Sequence, residues 1–205
     1  MQQQISADGV RPPKTSSNSF EWPGNGKTSN LALPLELLIL LGAGILAAVL
    51  HQSFRLPLRL PGYHGIEWLA ILTLARLIST RPGAGMVTGL GAATAALVYA
   101  GGFGFDGKSA QMLTYILQGC ILDALIFKSR ITFSAFIWVP LVGAVVHMIS
   151  PLVKNTFVSL GSSALNFGSL LNGISYPLMT HALFGAIGSA LGLLVYLGTR
   201  KKQQS

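Results

Sequence analysis

Charged residues are scarce in this chain of 205 residues, because Asp, Glu, Lys and Arg together make up 10% of it while hydrophobic residues make up 51%. Soluble domains carry about 25% charged residues. This deficit disfavours a soluble protein, and we expect most of the chain to face lipid or other apolar helices. Because Cys120 is the single cysteine, the chain cannot form an internal disulfide. We interpret Cys120 as a small packing residue.

Several motifs of catalysis and nucleotide binding are also absent. The chain has no G-x-x-x-x-G-K-S/T phosphate-binding loop, so we do not expect it to hydrolyse ATP itself. It has no H-E-x-x-H zinc motif, and its four histidines are scattered without ligand spacing. Gly161-Ser162-Ser163 precedes His181 but does not match G-x-S-x-G, which leaves an intramembrane serine hydrolase as a minor alternative. We therefore expect no catalysis, no cofactor and no bound metal.

Long apolar segments predict an all-α, polytopic membrane protein with a six-helix bundle in residues 31–199. Residues 1–30 are polar, contain no signal-peptide core and are expected to form a disordered cytoplasmic tail, and residues 200–205 form a basic cytoplasmic C-terminus. Residues 155–176 are interpreted as a loop at the membrane surface, with a short helix within it as an alternative. The predicted spans are Leu31–Phe54, Ile66–Ile78, Pro82–Phe105, Ser109–Phe127, Ile131–Val153 and Pro177–Gly198.

The second predicted span is the shortest, at 13 residues. It would be about 20 Å long, against about 30 Å of hydrocarbon. Glu67 and Arg76 flank it and are expected to extend toward the lipid headgroups. Asp123, near the end of the fourth span, is expected to form an ion pair with Lys128 or Arg130.

Positive charge predicts the orientation of the spans. The net charge of +8 would suggest nucleic acid in a soluble protein, but in a membrane protein it indicates basic cytoplasmic loops, so no nucleic-acid partner is expected. With six spans and a cytoplasmic N-terminus, ten Lys and Arg residues fall inside and four outside. Without the second span, nine Lys and Arg residues fall on the inner side and five on the outer side. The six-span topology with both termini in the cytoplasm is therefore favoured, because it places more positive charge inside.

In this orientation, hydrogen-bonding and aromatic residues gather at the outer ends of the helices. Because unpaired polar groups in hydrocarbon cost several kcal/mol, we expect them to face the bundle interior and form a site open to the outside. Ordinary interfacial positions for Trp68 and Tyr176, and purely interhelical bonds for His147 and His181, remain alternatives. The predicted substrate-binding residues are Glu67, Trp68, Tyr115, Gln118, His147, Asn172, Tyr176 and His181, with Arg55 and Arg59 in a covering loop that meets an anionic group.

The order of motifs along the chain points to a known family. Two small residues four apart, Ala43 and Ala47, lie in the first helix, and a proline-rich outer loop follows. A short helix, an Arg-Pro-Gly turn and a Gly/Ala-rich helix come next. They are followed by Y-I-L-Q-G-C-I-L-D at residues 115–123 and H-A-L-F-G-A-I-G at residues 181–188. Across about residues 31–202, this order resembles the substrate-binding S components of energy-coupling factor (ECF) vitamin transporters.

The resemblance implies six helices in a bacterial or archaeal cytoplasmic membrane, with the cargo bound near the outer face under the first loop. It implies docking on a transmembrane coupling subunit driven by two ATPases, and it makes Ala43 and Ala47 the docking stripe. Cargoes of the family include thiamin, riboflavin, biotin and folate. The M-H-x-P-D-G start of the cobalt and nickel branch is missing here, so a metal cargo is not expected.

These observations give one leading hypothesis and two rivals. The leading hypothesis is a non-catalytic, membrane-embedded binding subunit for uptake of a small water-soluble nutrient. The first rival is a non-catalytic membrane scaffold that organises a larger complex through its glycine-rich helix faces. The second is a lipid-modifying or proteolytic membrane enzyme.

Overall fold

A computed structural model describes residues 33–53, 60–100, 107–127, 134–161 and 173–204. These ranges contain helices and turns and no strand, which confirms the all-α prediction. The predicted loop at 155–176 is wrong at both ends, because residues 155–161 continue the fifth helix and residue 175 already begins the sixth. The six helices are α1 (Leu33–Ser53), α2 (Gly65–Ile78), α3 (Ala84–Ala100), α4 (Gly107–Phe127), α5 (Ala135–Gly161) and α6 (Ser175–Gln204).

Three of the helices are long and apolar enough to cross a membrane. They are Leu33–Ser53, Ala135–Thr156 within α5 and Ser175–Thr199 within α6, and α3 and α4 contain shorter apolar stretches. Large apolar side chains are exposed on the outside of the bundle. The exposed fractions of Val98, Ile137 and Met179 are 76, 71 and 73%. Apolar surface of this extent marks a membrane or protein contact. The chain is therefore compatible with a transmembrane protein.

Helix α2 lies at the centre of the bundle and contacts each of the other five helices. Its residues Trp68, Leu69 and Leu72 are almost completely buried. A helix surrounded by protein does not need to match the thickness of the hydrocarbon, which accounts for its length of 14 residues. A helix is therefore present where the second span was predicted, at Gly65–Ile78 against 66–78.

The other helices pack around α2 through close glycine contacts. Helix α1 packs on α3, α3 on α4, α4 on α5, and α5 on α6. At these crossings a Cβ atom on glycine would overlap the backbone of the neighbouring helix, so small residues allow the helices to approach, as the glycine content of the sequence predicts. The facing residues are Gly44 with Thr88, Gly85 with Gly119, and Gly143 with Gly185.

An ion pair joins α2 to α4 at the end of the bundle where α1 and α3 begin. Arg76 is only 5% exposed, and its Nε lies 2.8 Å from Asp123 Oδ1. The Asp123 carboxylate also accepts hydrogen bonds from the backbone N–H groups of Gly85 and Met86, in the first turn of α3. The predicted ion pair of Asp123 is therefore present with a different partner, and Arg76 points into the protein rather than toward headgroups. Lys128 and Arg130 lie outside the described residues.

A second carboxylate extends this contact to α1. The Arg81 guanidinium Nε lies 2.6 Å from Glu36 Oε2, and the Ser79 hydroxyl donates a hydrogen bond of 2.7 Å to Glu36 Oε1. Arg76 Nη1 donates to the Ser79 carbonyl at 3.1 Å. We call these five residues (Glu36, Arg76, Ser79, Arg81 and Asp123) the ionic network. It ties together α1, α2, α3 and α4 at one end of the bundle.

Candidate functional site

A cavity of about 250 Å³ lies at the opposite end of the bundle, where α1 ends and α2, α4 and α6 begin. Five helices contribute to its wall, and the four histidines of the sequence all reach it although they are far apart along the chain. The lining residues are His51, Gly62, His64, Trp68, Ala110, Gln111, Thr114, Tyr115, Gln118, His147, Ser150, Lys154 and His181.

Gln118 on α4 is the centre of the hydrogen bonds beneath the cavity. It is fully buried, and its Oε1 accepts a 2.6 Å hydrogen bond from the indole N–H of Trp68 on α2. Its Nε2 donates to the Val146 carbonyl at 3.2 Å and to the Ser150 hydroxyl at 3.0 Å, both on α5. One amide therefore fixes α2, α4 and α5 relative to each other and satisfies a buried indole.

His147 on α5 is held at both ring nitrogens. Its Nε2 lies 3.1 Å from the Gly62 carbonyl, which can only accept, so this nitrogen carries the proton. Its Nδ1 is then an acceptor toward Gln118 Nε2 at 3.4 Å, the longest of three contacts that share the two hydrogens of this amide. A neutral imidazole with this tautomer fits both contacts, and the ring is fixed in orientation.

The turn at residues 60–64 closes one side of the cavity over His147 and His181. Gly62 has φ +80°, a conformation that favours glycine, and a Cβ there would lie 2.7 Å from the His181 ring atoms Cγ and Nδ1. A Cβ on Gly65 would overlap the His147 ring. The two glycines of the sequence G-Y-H-G thus let this turn lie directly against two imidazoles.

His181 on α6 presents its remaining nitrogen for other contacts. Its Nδ1 lies 2.7 Å from the Pro177 carbonyl, one helical turn earlier, and therefore donates to it. In the neutral ring this leaves Nε2 with a lone pair. The His181 ring centroid lies 4.8 Å from that of His147, so the two imidazoles form one wall of the cavity.

A second group of rings also lines the cavity. The ring centroids of Trp68 and Tyr115 are 4.5 Å apart, and His51 meets Tyr115 edge-on at 6.2 Å. His51 in turn lies 4.5 Å from His64. The His51 Nδ1 atom is buried without a hydrogen-bond partner in this structure. Because buried polar atoms are normally paired, this nitrogen is suited to contact a bound molecule.

Two hydroxyl groups and one amine complete the polar lining. The Tyr115 hydroxyl accepts a 2.7 Å hydrogen bond from Gln111 Nε2, and the Ser150 hydroxyl accepts from Gln118. Each hydroxyl therefore has its own O–H available to donate. Lys154, one turn beyond Ser150 on α5, is exposed at the mouth of the cavity.

The cavity includes five of the ten residues predicted from the sequence, namely Trp68, Tyr115, Gln118, His147 and His181. Glu67 does not line it; its carboxylate Oε2 lies 3.9 Å from His64 Nδ1, beside the cavity. Tyr176 is 56% exposed and does not line it either. Arg55, Arg59 and Asn172 lie outside the described residues.

Some lining residues were not predicted, chiefly His51, Gln111, Thr114, Ser150 and Lys154. Gln111 and Thr114 lie one turn before the predicted Tyr115 and Gln118, on the same face of α4. Ser150 and Lys154 continue the face of His147 along α5 in the same way. The helical period applied to the predicted residues would have found these four, whereas His51 gives no such signal.

The burial of Ala43 and Ala47 on α1 bears on their predicted role as a docking stripe. Ala47 is completely buried and belongs to the core of the bundle, so it offers no surface to a second protein in this structure. Ala43 is half-buried. The open face of α1 instead carries large apolar residues such as Leu38 and Leu46.

Among the described residues, no group of three or more His, Cys, Asp and Glu side chains is arranged to hold a metal ion, although four imidazoles share the cavity. Comparison with known proteins gives no match to a family model, to a curated protein or to a solved structure. The geometry of the cavity and the distribution of charge are therefore the observations that bear on function.

Proposed function

We propose that this chain is a membrane-embedded subunit that binds a small water-soluble nutrient for uptake and works with a separate ATP-driven coupling module. The observation that carries this proposal is the convergence of imidazole, indole, phenol and amide groups from five helices on one cavity. The outer surface of the same helices is apolar. Pockets with an aromatic lining and a few fixed polar groups are typical of small-molecule sites.

Binding without catalysis fits the hydrogen bonds of the cavity better than an enzyme does. A nucleophile needs a general base within hydrogen-bond reach. The hydroxyls of Tyr115 and Ser150 accept from the amides of Gln111 and Gln118, and His147 is occupied at both nitrogens. Among the hydrogen bonds of the described residues, neither hydroxyl is paired with a histidine or a carboxylate that could act as its base.

The distribution of charge supports a cavity that opens on the non-cytoplasmic side. Ten basic residues fall on the inner side of a six-span topology and four on the outer, and both termini are then cytoplasmic. The ionic network lies at the inner end and the cavity at the outer end. This is the arrangement expected of an ECF-type S component in a bacterial or archaeal cytoplasmic membrane, with a transmembrane coupling subunit and two ATPases as its partners.

Ligand binding by the purified chain tests this proposal. The chain, extracted in detergent from cells grown in rich medium, should retain a small molecule that mass spectrometry identifies. His181→Ala should weaken binding of that molecule roughly 5- to 30-fold, the equivalent of about 1–2 kcal/mol, because a fixed ring and a lone pair are lost. Tyr176→Ala is the matched control on the same helix and should leave the affinity unchanged.

Two results would contradict the proposal. Equal affinities of the His181→Ala variant and the unchanged chain would remove His181 from the site. A chain that binds no member of a vitamin panel but co-purifies with a stable set of other proteins would favour the scaffold hypothesis.

A further inference from the structure

We infer that the ligand of this cavity is a small, flat aromatic molecule with one negatively charged group, its ring lying against Trp68 and Tyr115 and its anionic group facing Lys154. This inference rests on the proposed binding function and adds the chemical class of the ligand. It depends on the charge, the shape and the depth of the described cavity.

The charges around the cavity favour an anion. Lys154 is the formally charged residue among the lining residues that the structure describes, and none of these is Asp or Glu. The nearby Glu67 carboxylate is directed at His64, with 3.9 Å between Oε2 and Nδ1. An organic cation would therefore enter the cavity without a carboxylate to pair with, and beside an ammonium group of the same sign.

The hydroxyl groups point to the same class. The Tyr115 and Ser150 oxygens already accept hydrogen bonds from amide N–H groups, so both have an O–H left to donate. Together with the Lys154 ammonium they give the cavity three donors that suit carboxylate or phosphate oxygens, while the His181 Nε2 lone pair can accept from an N–H or O–H group elsewhere on the ligand.

The rings around the cavity favour a flat ligand. Six of the lining residues carry an aromatic or imidazole ring, and Trp68 with Tyr115 and His147 with His181 form two ring pairs among them. A planar ring can stack on such faces, and stacking on aromatic side chains is favourable for any π system. The volume of about 250 Å³ lies near the lower end of the range of small-molecule pockets, about 300–1,000 Å³, which suits a small ligand.

Depth along α5 sets the orientation of the ligand. His147, Ser150 and Lys154 follow one another on the same face of α5, from a buried histidine to an exposed lysine. Trp68 and Tyr115 are buried, as His147 is, whereas Lys154 is exposed. A ligand with its ring at the buried end therefore has its charged group at the mouth, where an anion retains part of its hydration.

Three probes with one ring size test the sign of the charge. They are pyridine-3-carboxylate, which is an anion, pyridine-3-carboxamide, which is neutral, and N-methylpyridinium-3-carboxamide, which is a cation. Binding to the full chain in lipid nanodiscs is measured by titration calorimetry. The anion should bind at least about tenfold more tightly than the neutral amide, as expected for one charge pair near a protein surface. The cation should bind most weakly.

Further probes test the flat ring and the type of anion. Benzoate should bind at least about tenfold more tightly than cyclohexanecarboxylate, which has the same charge but a puckered ring without π faces. Phenyl phosphate against benzoate then distinguishes a phosphate from a carboxylate as the preferred group. Equal binding of benzoate and cyclohexanecarboxylate would overturn the aromatic class.

Substitution of the lysine links the charge preference to the structure. Lys154→Gln should weaken binding of the anionic probe about fivefold to tenfold and leave the neutral probe unchanged. Lys201→Gln, near the C-terminal end of α6, removes a positive charge at the other end of the bundle and should alter neither. Equal loss for both probes in Lys154→Gln would contradict a role in charge recognition.

Different results would refute the ligand class and the binding function. If the cationic probe binds best, or no aromatic anion binds at millimolar concentration, the ligand class is wrong. The binding function survives that result if another nutrient binds and His181→Ala weakens it. It falls as well only if no nutrient of any charge binds.

Discussion

Replacement of Gly62 by alanine tests the contact between the 60–64 turn and the cavity wall. The new Cβ would lie 2.7 Å from the His181 ring and 3.0 Å from its Cα, where ordinary carbon contacts are about 3.5–4.0 Å. Either the turn or the imidazole must therefore move by nearly 1 Å. The same substitution also places a side chain at φ +80°.

These two effects have separable magnitudes. A left-handed conformation costs an alanine about 1–2 kcal/mol. Forcing extra volume into a packed site costs about 1–3 kcal/mol in addition. Gly83 supplies the control, because it has φ +85° and nothing within 4 Å of a Cβ built there. Gly83→Ala therefore carries the backbone strain alone.

We expect Gly62→Ala to be less stable than Gly83→Ala by about 1–3 kcal/mol. For a chain of this size each kcal/mol shifts the melting temperature by about 2–4 °C, so the two variants should differ by several degrees. Unfolding is followed by intrinsic tryptophan fluorescence in detergent, to which buried Trp68 contributes. Ligand affinity should fall at least about tenfold in Gly62→Ala, because His147 and His181 both contact this turn, and should stay unchanged in Gly83→Ala. Equal melting temperatures and equal affinities of the two variants would refute the contact.

Three further substitutions test the packing. Gln118→Leu leaves a buried indole N–H without its acceptor and should destabilise the protein by about 1–3 kcal/mol in thermal unfolding; an unchanged melting temperature would contradict the hydrogen bonds described for it. Arg76→Gln removes the partner of Asp123 in a buried pair and should cost about 3–5 kcal/mol, measured in the same way, whereas a loss below about 1 kcal/mol would indicate a solvated pair. Ala47→Trp should prevent folding or lower expression sharply, while Leu46→Trp on the open face should be tolerated, and normal folding of both would overturn the burial of the first.

The sequence predicts the helices well because each one leaves a local signal. The Pro/Gly-rich loop before α2 and the Arg-Pro-Gly turn after it bound this helix to within one residue, at 66–78 against Gly65–Ile78. Counting spans gives each helix a direction, and direction places Trp68, Tyr115, Gln118 and His147 at one depth. The structure then shows these four around a common cavity.

Residues whose role depends on packing between helices could not be predicted in this way. Asp123 pairs with Arg76, 47 positions earlier, although Lys128 and Arg130 are closer in sequence. Only the contacts of α2 with α4 decide that partner. Ala47 likewise satisfies the small-residue pattern of a docking stripe, but the same pattern serves packing inside the bundle, where the structure buries this residue completely.

His51 shows a further limit of the sequence. A single histidine in the last turn of a predicted span resembles an ordinary interfacial residue. Its place in the cavity follows from the 4.5 Å contact with His64 and the 6.2 Å contact with Tyr115, two residues on other parts of the chain. Tyr176 shows the reverse, since its position at the start of α6 suggested the site but its ring is exposed.

Native mass spectrometry of the chain, released from membranes of cells grown in rich medium, tests the central claim most directly. If the cavity is a nutrient site, the spectrum should show one small molecule bound per chain, and its occupancy should fall in the Gly62→Ala and His181→Ala variants but not in Gly83→Ala. The proposed function would be contradicted if neither the unchanged chain nor any of the three variants carries a bound molecule, even after exposure to a pool of water-soluble nutrients.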